Sequence, residues 1–156
     1  MIEQKRMTRP AICTRIAVAA ALIATPALAP WPALAQGAGK VIEYGIYGED
    51  NALLKRTREI PSGKPVRFGF CFEARVNAED GGTTFIETLR HPPVMQGNGI
   101  ETNGYSMPRM FELKGGVAKG CSGYFAKEPD QLRAGTWRFT LSDGDDDVVV
   151  QEFVVK

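Results

Sequence analysis

The stretch Val66–Val76 (VRFGFCFEARV) constrains the fold of this chain more than any other. Apolar side chains occupy every second position, and Phe68, Phe70 and Phe72 are three of them. Because successive side chains of a β-strand point to opposite faces, this period of two predicts a strand with one buried face and one wet face. A helix would scatter the three phenylalanines around its circumference. The segment is therefore interpreted as a core strand.

Further strands are predicted wherever β-branched and aromatic residues stand between turn signals. These segments are residues 41–47, 83–90, 110–113, 122–127, 136–142 and 148–155. Asp143-Gly144 joins the last two as a hairpin. All 17 glycines follow residue 36, which is typical of a turn-rich β protein. The predicted fold class is all-β, a seven-stranded immunoglobulin-like β-sandwich, with a partly open barrel as the main alternative.

The segment from Pro92 to Pro108 is predicted to be a long connection. His91-Pro92-Pro93 ends the third strand, since neither proline can donate a hydrogen bond to a central ladder. Residues 94–106 then form a loop rich in Gly and Asn. Connections of this length are usually functional or disordered.

The first 35 residues are predicted to be a secretory signal peptide. A basic segment precedes the short apolar run Ile16–Thr25, and Ala33-Leu34-Ala35 supplies a small-residue cleavage site. A spanning helix needs about 20 apolar residues, and the prolines at 26, 30 and 32 interrupt this run too early. The expected product is a 36–40 lead-in and a 41–156 sandwich domain, periplasmic or secreted, without membrane insertion.

Cleavage changes the charge of the chain. The whole sequence has 19 basic and 18 acidic side chains, but residues 1–35 contain four of the basic ones and one acidic one. The remainder has 15 basic and 17 acidic residues, so its net charge is about −2. Nucleic-acid binding proteins normally show a basic excess or stripe, so no nucleic-acid partner is expected.

Cys71 and Cys121 are the cysteines that remain after cleavage at Ala35. In an exported chain of this size a disulfide is the usual state, although two free thiols or an intermolecular bond stay open. Cys71 shares its parity with Arg67 and Arg75, so it points away from the phenylalanine core. Any internal bridge is therefore expected across neighbouring strands on an outer face.

Several short pieces resemble a bacterial family of small exported proteins known only as a domain of unknown function. They are Tyr44-Gly45-Ile46-Tyr47, Pro65-Val66-Arg67-Phe68-Gly69-Phe70, His91-Pro92-Pro93, Gly135-Thr136-Trp137-Arg138-Phe139 and Glu152-Phe153-Val154-Val155. The resemblance runs from about residue 41 to 156 and implies an immunoglobulin-like sandwich. It implies no activity, cofactor or catalytic set.

Two kinds of binding site are conceivable in and around the predicted loop. Its polar contacts for a partner would be Gln96, Asn98, Asn103 and Tyr105. The alternative is a copper site, because thioether and imidazole ligands suit that metal. Its ligands would be His91, Met95, Met107 and Met110. The purely structural interpretation is that the methionines fill gaps beneath a loop.

Other chemistry has weaker support. Asp143–Asp147 spaces carboxylates like the start of a calcium loop, but the Gly and Glu that an EF-hand requires further on are missing. Ser106 and His91 form no recognisable hydrolase motif. The leading hypothesis is a monomeric, non-catalytic binding or interaction module that needs no cofactor and whose partner is an envelope protein or a small ligand. A copper-handling protein is the alternative, and an edge strand that accepts a partner strand is a second candidate surface.

Overall fold

The computed structural model describes residues 39–77, 81–95 and 99–156. These residues form nine β-strands and one turn of 3-10 helix, Pro129–Gln131. The strands are β1 (Gly39–Tyr47), β2 (Leu53–Lys55), β3 (Glu59–Ile60), β4 (Val66–Arg75), β5 (Gly81–Met95), β6 (Glu101–Lys114), β7 (Val117–Ala126), β8 (Gly135–Asp143) and β9 (Asp146–Val155). The predicted signal peptide and residues 36–38 lie outside the described part. No helix within it is long and apolar enough to span a bilayer.

All seven predicted strands are present, and β2 and β3 are additional. These two are three and two residues long, which is too short for any periodicity to reveal them. Tertiary contacts hold them in place: β3 runs parallel to β9, where Val154 N donates to Arg58 O at 2.8 Å and Lys156 N donates to Ile60 O at 3.0 Å.

The strands pack as two layers around one core. The hydrogen-bonded order is β2-β1-β4-β7-β6-β5-β8-β9-β3. The first four strands form one layer and the last five form the other, and Phe68 of β4 joins them. Its ring lies edge-on to Trp137, Phe139 and Phe153 of the second layer, with centroid distances of 5.7, 6.1 and 5.2 Å. The β-sandwich is thus confirmed, and the alternation of β4 is confirmed as its central hydrophobic row.

The prediction of a long irregular loop over residues 94–106 is wrong. β5 continues through His91-Pro92-Pro93 to Met95, and β6 begins at Glu101. The ladder shifts its register between Arg90 and Val94, so the prolines occupy a bulge where no ladder hydrogen bond is required of them. The fourth strand, expected at 110–113, is therefore the long second arm of a hairpin.

Backbone hydrogen bonds connect the two layers where β6 lies next to β7, and they do so at only one end of these two strands. β6 pairs with β7 through Leu113↔Ala118 and Lys114↔Val117, next to the turn at Gly115-Gly116. No other part of β6 in the described residues is paired with β7. Residues 103–112 of β6 and 119–126 of β7 are thus not paired with each other, and we call this region the open side of the sandwich.

Candidate functional site

The β5–β6 hairpin carries most of the predicted site residues. Asn103 is exposed on β6, whereas Tyr105 is half-buried and turns its hydroxyl into the protein. Gln96 and Asn98 lie outside the described residues. The structure therefore places the described part of the predicted partner-binding set on a strand rather than on a loop.

The four predicted copper ligands are distributed along the whole hairpin. Met110 stands opposite Thr84, while Met95 stands opposite Glu101 at the far end of β5. At about 3.3 Å per residue, Thr84 and Met95 are roughly 35 Å apart along the strand. The structure does not bring the four side chains to one point, and copper binding stays an untested prediction.

His91 packs against aromatic side chains of the core. Its ring stacks on the buried Trp137, with centroids 4.3 Å apart and planes inclined by 18°. Its Nδ1 lies 2.7 Å from the carbonyl oxygen of Pro92. Trp137 in turn donates from Nε1 to Arg133 O at 3.0 Å. The half-buried His91 ring thus lies against the hydrophobic core, within the bulge between Arg90 and Val94.

A buried carboxylate, which the sequence analysis missed, lies at the open side. Glu87 of β5 is only 1% exposed. Its Oε1 accepts a hydrogen bond of 2.7 Å from the Tyr105 hydroxyl, and its Oε2 is 3.5 Å from Nη1 of Arg109. Oε2 has no hydrogen-bond donor among the described residues. A buried oxygen in that state is costly, so the cluster is an unusual feature of this core.

The opposite border of the open side is polar as well. Ser122 of β7 is buried, and no described group is hydrogen-bonded to its hydroxyl. Tyr124, two positions further along β7, lies 5.0 Å from the Trp137 ring centroid. The open side is therefore lined from both layers by groups that can form hydrogen bonds.

Burial governs the acidity of the two tyrosines there. Desolvation, followed by the hydrogen bond to Glu87 and its negative charge, raises the pKa of Tyr105 far above its ordinary value. Desolvation also raises the pKa of Tyr124. Both hydroxyls consequently remain protonated at physiological pH. The proton of Tyr105 is used in the hydrogen bond to Glu87.

The sequence contains one signal that could have located Glu87. It stands between Phe85 and Leu89 at the same parity on one predicted strand, and both neighbours are fully buried. A glutamate on the apolar side of a strand is expected to require a partner inside the protein. Tyr105 could not be assigned as that partner, because its segment was interpreted as a loop.

The remaining candidates have ordinary structural partners. Asp143–Asp147 contains the β8–β9 turn, as predicted, and Ser142 Oγ donates to Asp147 Oδ1 at 3.1 Å. Ser106 Oγ lies 3.0 Å from Thr88 Oγ, across the β5–β6 pair. In the described ranges, no group of three or more His, Cys, Asp or Glu side chains could hold a metal ion.

Cys71 and Cys121 form a disulfide, with their Cα atoms 3.9 Å apart. The two residues are directly opposite each other on β4 and β7. The side chains at neighbouring positions of β4, Phe70 and Phe72, are buried in the core. The predicted bridge across adjacent strands on an outer face is thus confirmed.

The fold is that of an immunoglobulin-like β-sandwich. It is similar to an immunoglobulin-like protein from Pseudomonas aeruginosa, with a TM-score of 0.59 at 20% identity over 78% of this chain and 99% of that chain. By sequence the chain belongs to the family described as Domain of unknown function (DUF3859), which matches residues 38–155. The family resemblance drawn from the short pieces is thereby confirmed.

Two further comparisons add nothing to the functional argument. An alkylpurine DNA glycosylase of Pseudomonas fluorescens, solved bound to DNA containing an abasic site analogue, matches with a TM-score of 0.38 at 9% identity. That match covers 77% of this chain and 31% of the glycosylase, and a likeness this low carries no argument. No curated protein matches the chain.

Proposed function

We propose that this protein is an exported binding module without chemistry of its own, which binds an extended segment of a partner protein along residues 103–107 of β6. The observation that carries the proposal is the one-sided pairing of this strand. β5 pairs with β6 along its length, but no described strand pairs with residues 103–112 on the other side. A strand edge of this kind can accept a partner strand through backbone hydrogen bonds.

The other ends of the sheet are protected in the way natural proteins usually protect them. The outermost strands in the hydrogen-bonded order, β2 and β3, have only three and two residues. Very short edge strands offer little backbone to an incoming chain. β6 has 14 residues, and its length leaves an edge that could be used for binding.

Pro108 divides that edge. Proline has no backbone N–H, so it interrupts any ladder that a partner strand would build. On its N-terminal side, Asn103 and Met107 are exposed and can contact the side chains of a partner. This is why we place the binding segment at 103–107. It contains Asn103 and Tyr105, two of the residues that the sequence analysis selected.

Export is supported by two independent features. The N-terminal sequence has the pattern of a signal peptide, and the chain contains a disulfide between Cys71 and Cys121. Disulfides persist in oxidising compartments and are rare in the cytosol. A protein of the periplasm or the extracellular space fits both features.

The test uses linear peptides as probes. A random peptide library displayed on phage is selected against the protein, and enriched peptides are examined by amide hydrogen exchange with mass spectrometric detection. We expect the bound peptides to slow exchange in residues 103–107. Peptides that protect a different segment, or the absence of any enriched peptide, would contradict the proposal.

Two methionines of β6 provide matched variants for this experiment. Met107 and Met110 are both exposed and lie on opposite sides of Pro108. We expect Met107→Ala to weaken peptide binding and Met110→Ala to leave it unchanged. Equal effects of the two substitutions would place the binding surface elsewhere.

A further inference from the structure

The outer face of the first layer contains a groove that is separate from the β6 edge. It has a volume of about 410 Å³, within the usual range of small-molecule sites. Its walls and floor come chiefly from Tyr47, Arg67, Gly69, Cys71, Gly123 and Phe125. The groove therefore runs over β4 and β7, with a side wall from the end of β1.

Three consecutive cross-strand pairs define its length. On the outer face of β4 and β7 the pairs are Arg67↔Phe125, Gly69↔Gly123 and Cys71↔Cys121. The first is a cation–π pair, with the guanidinium carbon 4.9 Å from the ring centroid, and the third is the disulfide. The glycine pair between them contributes no side chain, so it forms a flat floor of peptide groups.

The glycines of that floor cannot be replaced without moving the strands. A Cβ atom on Gly69 would lie 2.3 Å from the carbonyl oxygen of Ser122, and one on Gly123 would lie 2.5 Å from that of Phe68. The close approach of β4 and β7 therefore keeps the middle of the groove empty. Tyr47 closes one flank, because it is paired with Arg67 and its hydroxyl lies 3.9 Å from Cys71 Sγ.

Arg67 gives the groove a positive charge. It is the charged residue among those that line the groove, and no carboxylate of the described residues forms an ion pair with it. Its Nη1 donates to Asn51 Oδ1 at 2.6 Å, while Phe125 supports the guanidinium group. The guanidinium is thus held in place at the end of the groove with donors left over.

We infer that this groove binds a small planar molecule that bears a carboxylate, with its ring over Gly69 and Gly123 and its carboxylate on Arg67. The flat floor and the aromatic side chains of Tyr47 and Phe125 suit a planar ring. The fork of an arginine suits a carboxylate, which it can bind through two parallel hydrogen bonds. An orientation fixed in advance by Asn51 lowers the entropic cost of binding.

The experiment compares benzoate, benzamide and acetate as probes, using two-dimensional amide NMR spectra of the ¹⁵N-labelled protein. We expect benzoate to cause saturable shifts of the Gly69, Gly123 and Phe125 amides. Benzamide, which has the ring without the charge, and acetate, which has the charge without the ring, should bind more weakly. Benzamide binding as tightly as benzoate, or no saturable shift at these amides, would overturn the inference.

Arg67→Gln tests the role of the cation, and Arg75→Gln serves as the matched control. Arg75 lies on the outer face of the same strand but does not line the groove. We expect Arg67→Gln to weaken benzoate binding about tenfold or more, as the loss of a charged hydrogen bond predicts, and Arg75→Gln to change nothing. Arg67→Lys, which keeps the charge but loses the fork, should fall between them. Undiminished binding to folded Arg67→Gln would exclude this site.

Discussion

Tyr105 donates a hydrogen bond of 2.7 Å to Glu87, a carboxylate that is only 1% exposed. The bond joins the two arms of the β5–β6 hairpin on the inner face of the sandwich, next to the open side. It satisfies one oxygen of Glu87, while the other oxygen lies 3.5 Å from Nη1 of Arg109. Tyr105 is therefore the main hydrogen-bond partner of the most deeply buried charged group in the described structure.

Removing this hydroxyl is expected to destabilise the fold. Tyr105→Phe leaves both oxygens of Glu87 without a hydrogen-bond donor among the described residues, which costs about 1–3 kcal/mol. The free energy of unfolding is measured by urea denaturation. Ser106→Ala is the control, because it removes an exposed hydrogen bond to Thr88 on the outer face and should change stability by less than about 0.5 kcal/mol. Equal stability of the two variants would mean that the bond to Glu87 contributes little.

Stability is expected to fall at alkaline pH. The pKa of Tyr105 is raised in the folded protein from its ordinary value near 10, and burial raises the pKa of Tyr47 to about 12. A group with a raised folded-state pKa contributes its full stability below the unfolded pKa and loses it as pH rises through the folded value. We therefore expect the free energy of unfolding to decrease from about pH 10 upward. Tyr105→Phe should show a shallower decrease, whereas a slope as steep as that of the wild type would exclude Tyr105 as a source.

The disulfide is expected to contribute substantially to stability. The half-cystines are separated by 50 residues in the sequence, and closing a loop of that size typically stabilises a protein by about 2–4 kcal/mol. The double substitution Cys71→Ala/Cys121→Ala should lower the free energy of unfolding by this amount. Wild-type protein in reductant should behave like the double variant, and the denatured, unreduced protein should show no thiol from these two cysteines. Insensitivity of unfolding to reductant would contradict the prediction.

Substitutions at Gly69 and Gly82 form a matched pair that tests how closely β4 and β7 must approach each other. A Cβ atom at Gly69 would collide with the Ser122 carbonyl oxygen at 2.3 Å, whereas one at Gly82 would find its nearest neighbours at an ordinary 3.7 Å. Gly69→Ala should therefore unfold at a clearly lower denaturant concentration, because backbone must move. Gly82→Ala should stay close to the wild type. Similar midpoints for the two would show that β4 and β7 can separate at little cost.

Copper binding is expected to be weak. His91 stacks on Trp137, and Met95 and Met110 lie near opposite ends of the hairpin. A chromogenic chelator for Cu(I) should therefore retain its metal when the protein is added in excess. Transfer of copper to the protein, and its loss in His91→Ala, would restore the metal-handling hypothesis.

Strand β4 could be predicted from its sequence and the β5–β6 hairpin could not, for a physical reason. In β4 the alternation of Phe68, Phe70 and Phe72 with polar residues is a local signal, and the structure confirms both the strand and the outward position of Cys71. In the hairpin, the local signals predicted a loop over residues 94–106, where the structure has strands up to residue 95 and from residue 101. Proline disfavours a central ladder, but a register shift between Arg90 and Val94 lets the chain continue as a strand.

The same distinction applies to the candidate sites. The groove over Gly69 and Gly123 requires knowledge of which strand lies beside β4, and no local pattern in the sequence identifies β7 as that neighbour. The partnership of Glu87 and Tyr105 likewise depends on the pairing of β5 with β6. Side chains that meet across strands are fixed by register, which is a property of the assembled sheet.

The amino-acid sequence by itself determined the all-β class, the seven main strands, the family and the outer face on which a disulfide could form. The class, the strands and the outer face follow from the period of two and from turn residues, and both act over a few neighbouring positions. The family follows from the resemblance of short sequence pieces. Only the tertiary structure decided that residues 101–114 form a strand, that Glu87 is buried against Tyr105 and that a groove opens beside Arg67. Each of these depends on contacts between segments far apart in the chain. Local sequence patterns do not encode the free energies of such contacts.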